Sequence, residues 1–347
     1  MRIALDATPL SLSSGGQRRY VEELYRALTA QFPEDEVWLA SDQSVPASPE
    51  QRVLTPGKFW FDRRWWLAGL PRALRRERID VFHGTNFEVP YSGGCPAVMT
   101  LHDLSPWLNR AWHGGASRVR RRTPWLLRTG RADMVLTLTA AVRQQAIEHF
   151  NLPPERVVAV PLAASPLFRP VPSVDSAPYF LFVGTLEPRK NLAMLIAAWR
   201  ATRPITGAEL VVAGRCREDF VAPAPEPGLR WLGEVPDARL PALYSGCLAS
   251  IYPSQYEGFG LPVLEAMQCG AAVIATREPS LEEVAGDAAL WVASEAELAS
   301  VLCTVAGHPD LRRAHRELSI ERARQFSWGR TAKLTREVYA EAIERAR

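Results

Sequence analysis

Along the 347-residue chain, short apolar runs alternate with longer stretches whose apolar residues recur three and four apart. Residues 3–6, 36–40, 80–82, 97–100, 134–137 and 157–160 read as strands, and 16–31 and 140–150 as amphipathic helices. The rhythm breaks at 165–178, where four prolines and little periodicity predict a linker. It then restarts with strand 179–183, helix 191–200, strands 209–212 and 229–232, helix 237–245 and strand 248–252. A helix from 261, strand 272–276 and a long last helix at 328–347 complete it. Strand-then-helix repetition predicts an α/β fold with parallel sheets covered on both faces. Two Rossmann-like doubly wound domains follow, 1–164 and 179–327, with helix 328–347 crossing back to the first. Ligands of such sheets bind beyond the carboxyl ends of the strands, here expected in a cleft that the two domains face across.

The stretch from Pro253 to Thr276 carries the most chemistry. It reads as a strand end, a turn holding Glu257, Gly258, Phe259 and Gly260, a short helix from Leu261 and another strand. Pro262 suits a first helical turn, where its missing N–H costs nothing, and Gly270 suits the left-handed residue that ends a helix. Bare backbone at Gly258 and Gly260 ahead of a helix favours an anion such as a diphosphate. Glu265 is expected in the first turn of that helix and Glu257 in the loop before it, where the two carboxylates would hold different hydroxyls of one ligand. The plainer readings are a helix-dipole carboxylate worth about 0.3–1 kcal/mol for Glu265 and a solvated loop residue for Glu257.

A second cluster follows strand 179–183: Gly184-Thr-Leu-Glu187-Pro188-Arg189-Lys190-Asn191. Two adjacent cations at the start of the next helix oppose its dipole unless an anion sits there, which marks Arg189 and Lys190 as diphosphate ligands. Two fixed cations can neutralise a departing nucleoside diphosphate without a metal ion. The alternative is a pair of surface side chains with their charged heads in water.

Taken together, these segments resemble the GT-B glycosyltransferases of family four. The Gly184–Asn191 run, Leu232-Gly233 with Val235-Pro236-Asp237, the Glu257 and Glu265 pair, and Phe326-Ser327-Trp328 occur in the family's order. The match is dense in the second half of the chain and thin in the first. The resemblance implies a retaining transfer of a hexose from a nucleotide-diphosphate sugar, with no metal and no cofactor beyond that co-substrate. It implies that Arg189 and Lys190 bind the donor diphosphate, Glu265 the ribose hydroxyls and Glu257 the transferred sugar. Gly184 and the backbone of Gly258, Phe259, Gly260 and Leu261 would line the donor pocket. Gly15 and Gly16 resemble the family's N-terminal glycine loop, which approaches the donor phosphate. His102, followed by Asp103, Leu104 and Ser105, ends a strand and resembles the histidine that contacts the donor sugar, the alternative being a histidine that only orders its loop; Asp103 would orient it or cap the next turn. The surroundings of His102 are similar to those in bacterial polysaccharide mannosyltransferases. That implies GDP-mannose as donor, with a UDP-hexose as the alternative, and a saccharide or lipid-linked acceptor in surface polysaccharide or glycolipid assembly. A nucleotide-sugar epimerase of the same fold is the rival enzyme. In one departure, Arg277 and Glu278 replace small polar residues of the family's loop after strand 272–276, so donor contacts there do not carry over. His83 ends another strand and is either a ligand-facing residue or one of the core.

Charge and cysteine usage bear on partners and place. Apolar residues make up 47% and charged residues 23%, the balance of a globular protein. Five scattered cysteines without a C-x-x-C pair predict free thiols in a reducing cytoplasm and no zinc site. Asp6 interrupts the first apolar run, so the start reads as a strand and not a secretion signal, and no apolar stretch is long enough to span a bilayer. The net charge of +3 hides an asymmetry, because 58–131 holds fourteen Lys and Arg against five Asp and Glu, a local +9. Segment 58–78 interleaves that charge with aromatics, and Arg118, Arg120, Arg121 and Arg122 add to it. A helix lying on an anionic membrane surface is predicted there, with the protein peripheral at the cytoplasmic face; the alternative is a solvated charged face with a tryptophan-rich core beneath. No nucleic-acid partner is expected, since no nucleic-acid fold or motif accompanies the charge.

Overall fold

The computed structural model describes residues 1–347 apart from 13, 14, 113, 114, 173–176, 218, 219, 221–223 and 225. The chain divides into two compact units, Met1–Leu162 with Ser327–Arg347, and Ala163–Phe326. In the first unit β1 (Arg2–Asp6), β2 (Glu36–Ala40), β3 (Arg52–Leu54), β4 (Val81–Gly84), β5 (Ala97–Leu101), β6 (Met134–Thr137) and β7 (Val157–Ala159) form a sheet ordered β3-β2-β1-β4-β5-β6-β7. In the second, β8 (Tyr179–Val183), β9 (Glu209–Ala213), β10 (Leu229–Gly233), β11 (Ala249–Tyr252), β12 (Val273–Thr276) and β13 (Ala289–Val292) are ordered β10-β9-β8-β11-β12-β13.

The pairings are parallel, with Leu5 opposite His83 between β1 and β4 and Phe180 opposite Ala249 between β8 and β11. Each order reverses between those two strands, the doubly wound arrangement in which ligands gather at the reversal. Strands covered on both faces read as unbroken apolar runs, and all five residues of β8, Tyr-Phe-Leu-Phe-Val, are buried.

The helix Trp328–Arg345 belongs to the first unit. Ser327 starts it by accepting from the Arg330 amide at 3.2 Å, and Thr331, Thr335, Val338, Tyr339 and Ala342 form its buried stripe. The Tyr339 hydroxyl lies 2.7 Å from His83 Nδ1, while His83 Nε2 lies 2.7 Å from Thr100 Oγ1. His83 is therefore a core residue. Both its ring nitrogens are engaged, and burial, with His102 nearby, pushes its pKa down to about 3.

Two expectations need correction. Segment 58–78 is not one helix but a 3₁₀ turn (Trp60–Arg63), a π turn (Trp65–Gly69) and a short α-helix (Leu70–Arg76). Asp62 interrupts the helical spacing by turning inward to pair with Arg72 at 2.8 Å. Trp65 is 2% exposed and Trp66 packs edge-on to Phe82 at 6.2 Å, so both serve the core, whereas Phe59, Trp60 and Leu67 face solvent. The expected linker is also docked at its start, because Phe168 is buried and Gln268 Nε2 donates to the Ser165 and Phe168 carbonyls at 2.8 and 2.7 Å. Burial of one large aromatic outweighs the prolines around it. Positions 173–176 of that segment lie outside the described residues.

Candidate functional site

The reversal in the second sheet lies between β8 and β11, and the loops after these strands carry the predicted charges. After β8 the Gly184 amide donates to the Ala213 carbonyl at 3.0 Å. Gly214 must lack a side chain, because a Cβ there would fall 1.8 Å from the Gly184 carbonyl oxygen. A 3₁₀ turn, Pro188–Lys190, follows, and Asn191 at φ 52° separates it from the helix Leu192–Thr206. Arg189 and Lys190 thus occupy a turn of their own and do not open the helix. The left-handed Asn191, a conformation asparagine tolerates, makes the break.

Lys190 Nζ donates to Glu257 Oε1 and to the Tyr252 hydroxyl, both at 2.6 Å, and sits 4.7 Å from the Tyr252 ring centre. Arg189 lies 3.1 Å from Glu257 Oε2 and 2.7 Å from Glu187 Oε1, and donates to the Tyr256 carbonyl at 2.7 Å. Arg217 holds the other Glu187 oxygen at 2.7 Å. Lys190, Glu187 and Glu257 are each at most 5% exposed, so neither a surface cation nor a solvated glutamate describes them. The cations that seemed to require an outside anion have carboxylates of the chain as partners. Three cations against two carboxylates still leave the cluster with a positive surplus.

Burial alone would raise the Glu257 pKa. The charges of Lys190 and Arg189, with the hydrogen bond from Lys190, outweigh it and hold the carboxyl at about 2. Lys190 is pushed below its ordinary range by burial and by Arg189, against the pull of Glu257 and Glu187. Burial, then the Glu257 charge, drives the Tyr252 phenol well above its usual value.

Gly260, at φ +89°, caps the helix Leu261–Gln268, and Pro262 falls in its first turn. A Cβ on Gly260 would fall 2.4 Å from Leu281 Cδ2. Phe259 is buried edge-on to Phe326 at 6.0 Å, so its ring is packing and its backbone is what a ligand would meet. The helix begins at Leu261 as expected, and Glu265, its fifth residue, falls past the first turn because a turn takes about 3.6 residues. Its carboxylate is 1% exposed and accepts from the Tyr244 hydroxyl at 3.4 Å. Gly270, at φ +70°, follows the helix as expected. The structure therefore gathers Arg189, Lys190 and Glu257 into one cluster and sets Glu265 on the inner face of the next helix.

In the first unit Gly15, at φ +114°, caps the helix Gly16–Gln31. That helix brings Tyr20 edge-on to the His102 ring at 5.4 Å, and Phe87 packs on the ring at 5.8 Å. His102 Nε2 lies 2.7 Å from the Thr85 carbonyl, which assigns the proton to that nitrogen and leaves Nδ1 as an acceptor. Burial lowers the His102 pKa, favouring the neutral ring. Asp103 Oδ1 accepts from the Ser105 amide at 2.8 Å, a turn two residues long that leads into the next helix, whose N-cap position is Leu104.

Sequence reasoning missed Tyr252, Arg217 and Asp6. Tyr252 is signalled only by closing an apolar strand before Pro253, and Arg217 by nothing local. Asp6 ends β1 at the first sheet's reversal, and burial, against hydrogen bonds from Thr8, raises its pKa to about 6. Among the described residues no helix is long and apolar enough to cross a membrane.

The glycosyl transferases group 1 family matches residues 166–314, and glycosyltransferase family 4 matches residues 14–165. The sequence is 34% identical over 280 residues to the O-antigen chain mannosyltransferase B of Escherichia coli, covering 74% of this chain and 73% of that one. Sucrose-phosphate synthase from Thermosynechococcus elongatus has a similar structure, with a TM-score of 0.77 and 20% identity over 98% of both chains. Anabaena HepE, solved in complex with UDP-glucose, gives a TM-score of 0.76 at 17% identity over 98% of this chain and 99% of that one.

Proposed function

We propose, from the premise that the chain belongs to the family-four glycosyltransferases, that it transfers mannose from GDP-mannose to a saccharide or lipid-linked acceptor. The transfer retains the anomeric configuration and needs no metal ion, and it serves surface polysaccharide or glycolipid assembly. The observation that carries this is the positive Lys190, Arg189 and Arg217 cluster at the reversal of the second sheet, where a doubly wound fold binds its ligand. The mannosyltransferase relative supports the choice of sugar.

In this mechanism Arg189 and Lys190 stabilise the departing diphosphate in place of a metal. Glu257, ionised and held by both cations, accepts hydrogen bonds from the transferred sugar. Glu265 takes the ribose hydroxyls. Gly184 and the Gly258–Leu261 backbone flank the sugar and phosphates, and Gly15 and Gly16 approach the phosphate. His102 offers Nδ1 to a sugar hydroxyl. No side chain is assigned as a covalent nucleophile; a leaving phosphate oxygen takes the acceptor's proton as the new bond forms on the same face.

The test is a thermal-shift screen without metal against GDP, UDP, ADP, TDP and their sugars. GDP and GDP-mannose should stabilise the protein, by about 2.7 kcal/mol at one hundred times the dissociation constant. A response to none of them would refute the donor site. A UDP-hexose donor is the second reading, favoured by the UDP-glucose bound in HepE, and a UDP-only response would select it. Turnover of donor without acceptor would instead identify an epimerase.

The protein is proposed to work in the cytoplasm, peripheral at an anionic membrane surface. Phe59 and Trp60, 67% and 71% exposed, are the aromatics suited to a headgroup layer, with Lys58, Arg63 and Arg64 beside them. Phe59→Ser with Trp60→Ser should reduce sedimentation with anionic vesicles, and unchanged sedimentation would refute the membrane contact.

A further inference from the structure

β12 lies beside β11, so the residues just past its end adjoin the loop that carries Glu257. Glu278 is one of them and is 4% exposed. Its Oε2 accepts from the Ser280 and Leu281 amides at 3.0 and 3.1 Å, capping the helix Pro279–Ala285. Its Oε1, also buried, has no hydrogen-bond partner of normal geometry. Such an atom costs free energy where it stands, and nothing in the cap requires it. Burial carries the carboxyl up to about 7, opposed by the Leu281 amide, reinforced by the Glu257 charge and opposed again by the Glu257 and Ser280 amides.

Two contacts tie this acid to the Glu257 turn. Leu281, held by the cap, fills the space a side chain on Gly260 would need, its Cδ2 lying 2.4 Å from that Cβ position. Thr276 Oγ1 donates to the Ser254 carbonyl at 2.5 Å, joining the two strand ends. The charge that acts on Glu278 is Glu257 from the loop after β11, which is itself paired to Lys190 and Arg189, while Arg277, Glu282 and Glu283 lie along its own segment. Arg277 is turned away to Glu282 at 2.9 Å.

We propose that Glu278 is a positioning residue of the donor site, holding Leu281 against Gly260 through the helix it caps and setting by its own charge how strongly Lys190 and Arg189 attract an anionic ligand. Protonated, it leaves the cluster's positive surplus intact. Ionised, it adds a third carboxylate to three cations and cancels that surplus. The assignment rests on the donor-site reading above and assigns a role to a residue the family resemblance left without one.

Glu278→Gln keeps the shape and an acceptor oxygen for the cap while removing the charge. The probes are GDP-mannose and UDP-glucose, whose diphosphates are esterified at both ends and carry constant charge from pH 6 to pH 8. Calorimetry should show wild-type affinity falling about three- to tenfold from pH 6 to pH 8, the order expected for one charge added in a partly screened site. In Glu278→Gln the ratio should stay within about twofold. An equal fall in both proteins, or none in wild type, overturns the proposal while leaving the donor site standing. If neither nucleotide sugar binds wild type at either pH, the donor-site reading fails, and the unliganded protein decides the charge role of Glu278. There the Tm advantage of Glu278→Gln over wild type should widen between pH 5 and pH 8, as the buried carboxyl is forced to ionise. A constant gap overturns it.

Discussion

Lys190→Met keeps the length and apolar stem of the side chain and removes its three donors, so it breaks the charge pair with Glu257 together with the hydrogen bond to Tyr252, and the cycle with Glu257→Gln separates the two. Lys190 Nζ stands 2.6 Å from Glu257 Oε1, both residues are almost wholly buried, and the carboxyl falls from 4.5 to about 2 in this setting. At about 1.4 kcal/mol per pH unit, that fall corresponds to roughly 3 kcal/mol. Breaking a buried pair from one side costs about 3–5 kcal/mol, because the surviving charge is left uncompensated. Arg189 remains 3.1 Å from the other Glu257 oxygen and moderates the loss, so about 2–3 kcal/mol is expected at pH 7. The folded pKa is depressed, so this stabilisation is present above about pH 4.5 and disappears as pH falls through about 2. The assay is urea unfolding followed by circular dichroism, with separate transitions allowed for the two units, on wild type, Lys190→Met, Glu257→Gln and the double variant. The double variant should be more stable than Lys190→Met, with a coupling of at least about 1.5 kcal/mol. A Lys190→Met loss below about 0.5 kcal/mol, or strict additivity, would refute the buried pair.

Three more tests address other parts of the molecule. Gly260→Ala places a Cβ 2.4 Å from Leu281 Cδ2 at a φ of +89°, so it should lower stability by about 1–3 kcal/mol, and an unchanged Tm would contradict that packing. His83, held near pKa 3 against an ordinary 6.5, is neutral in the fold, so its contribution is full above pH 6.5 and is lost as pH falls toward 3. Wild type should lose about 2 kcal/mol from this group between pH 7 and pH 5, and His83→Gln, although less stable at pH 7, should show a flatter acid limb in urea titrations. Excess chelator should leave the transfer rate intact, whereas a rate lost to chelator and restored by Mg²⁺ would rule out the proposed metal-free chemistry.

How much the sequence disclosed depended on whether a feature was local. Strands with every residue apolar, such as β8, were plain, because a parallel sheet buries both faces of each strand. The short edge strands β3 and β13 were not, since three or four residues with mixed exposure give too little pattern. Arg189, Lys190 and Glu257 were legible as residue types in sequence order, but their mutual neutralisation was not. It joins loops 67 residues apart, so spacing along the chain did not reveal that carboxylates of the chain already pair these cations. The tryptophans of 58–78 show the same limit. Spacing identified an aromatic and basic segment, yet only tertiary packing separates Trp65 in the core from Trp60 in solvent.

The bond between His83 and Tyr339 joins residues 256 positions apart, with the whole second unit encoded between them. During synthesis the first sheet therefore emerges long before the helix that covers it, and on its β4–β5 face His83 Nδ1 waits for its partner while Nε2 already has Thr100. Expressing residues 1–162 alone should give a chain prone to aggregation, and a circular permutant that links Trp328–Arg345 directly ahead of Met1 should fold the first unit as a contiguous domain.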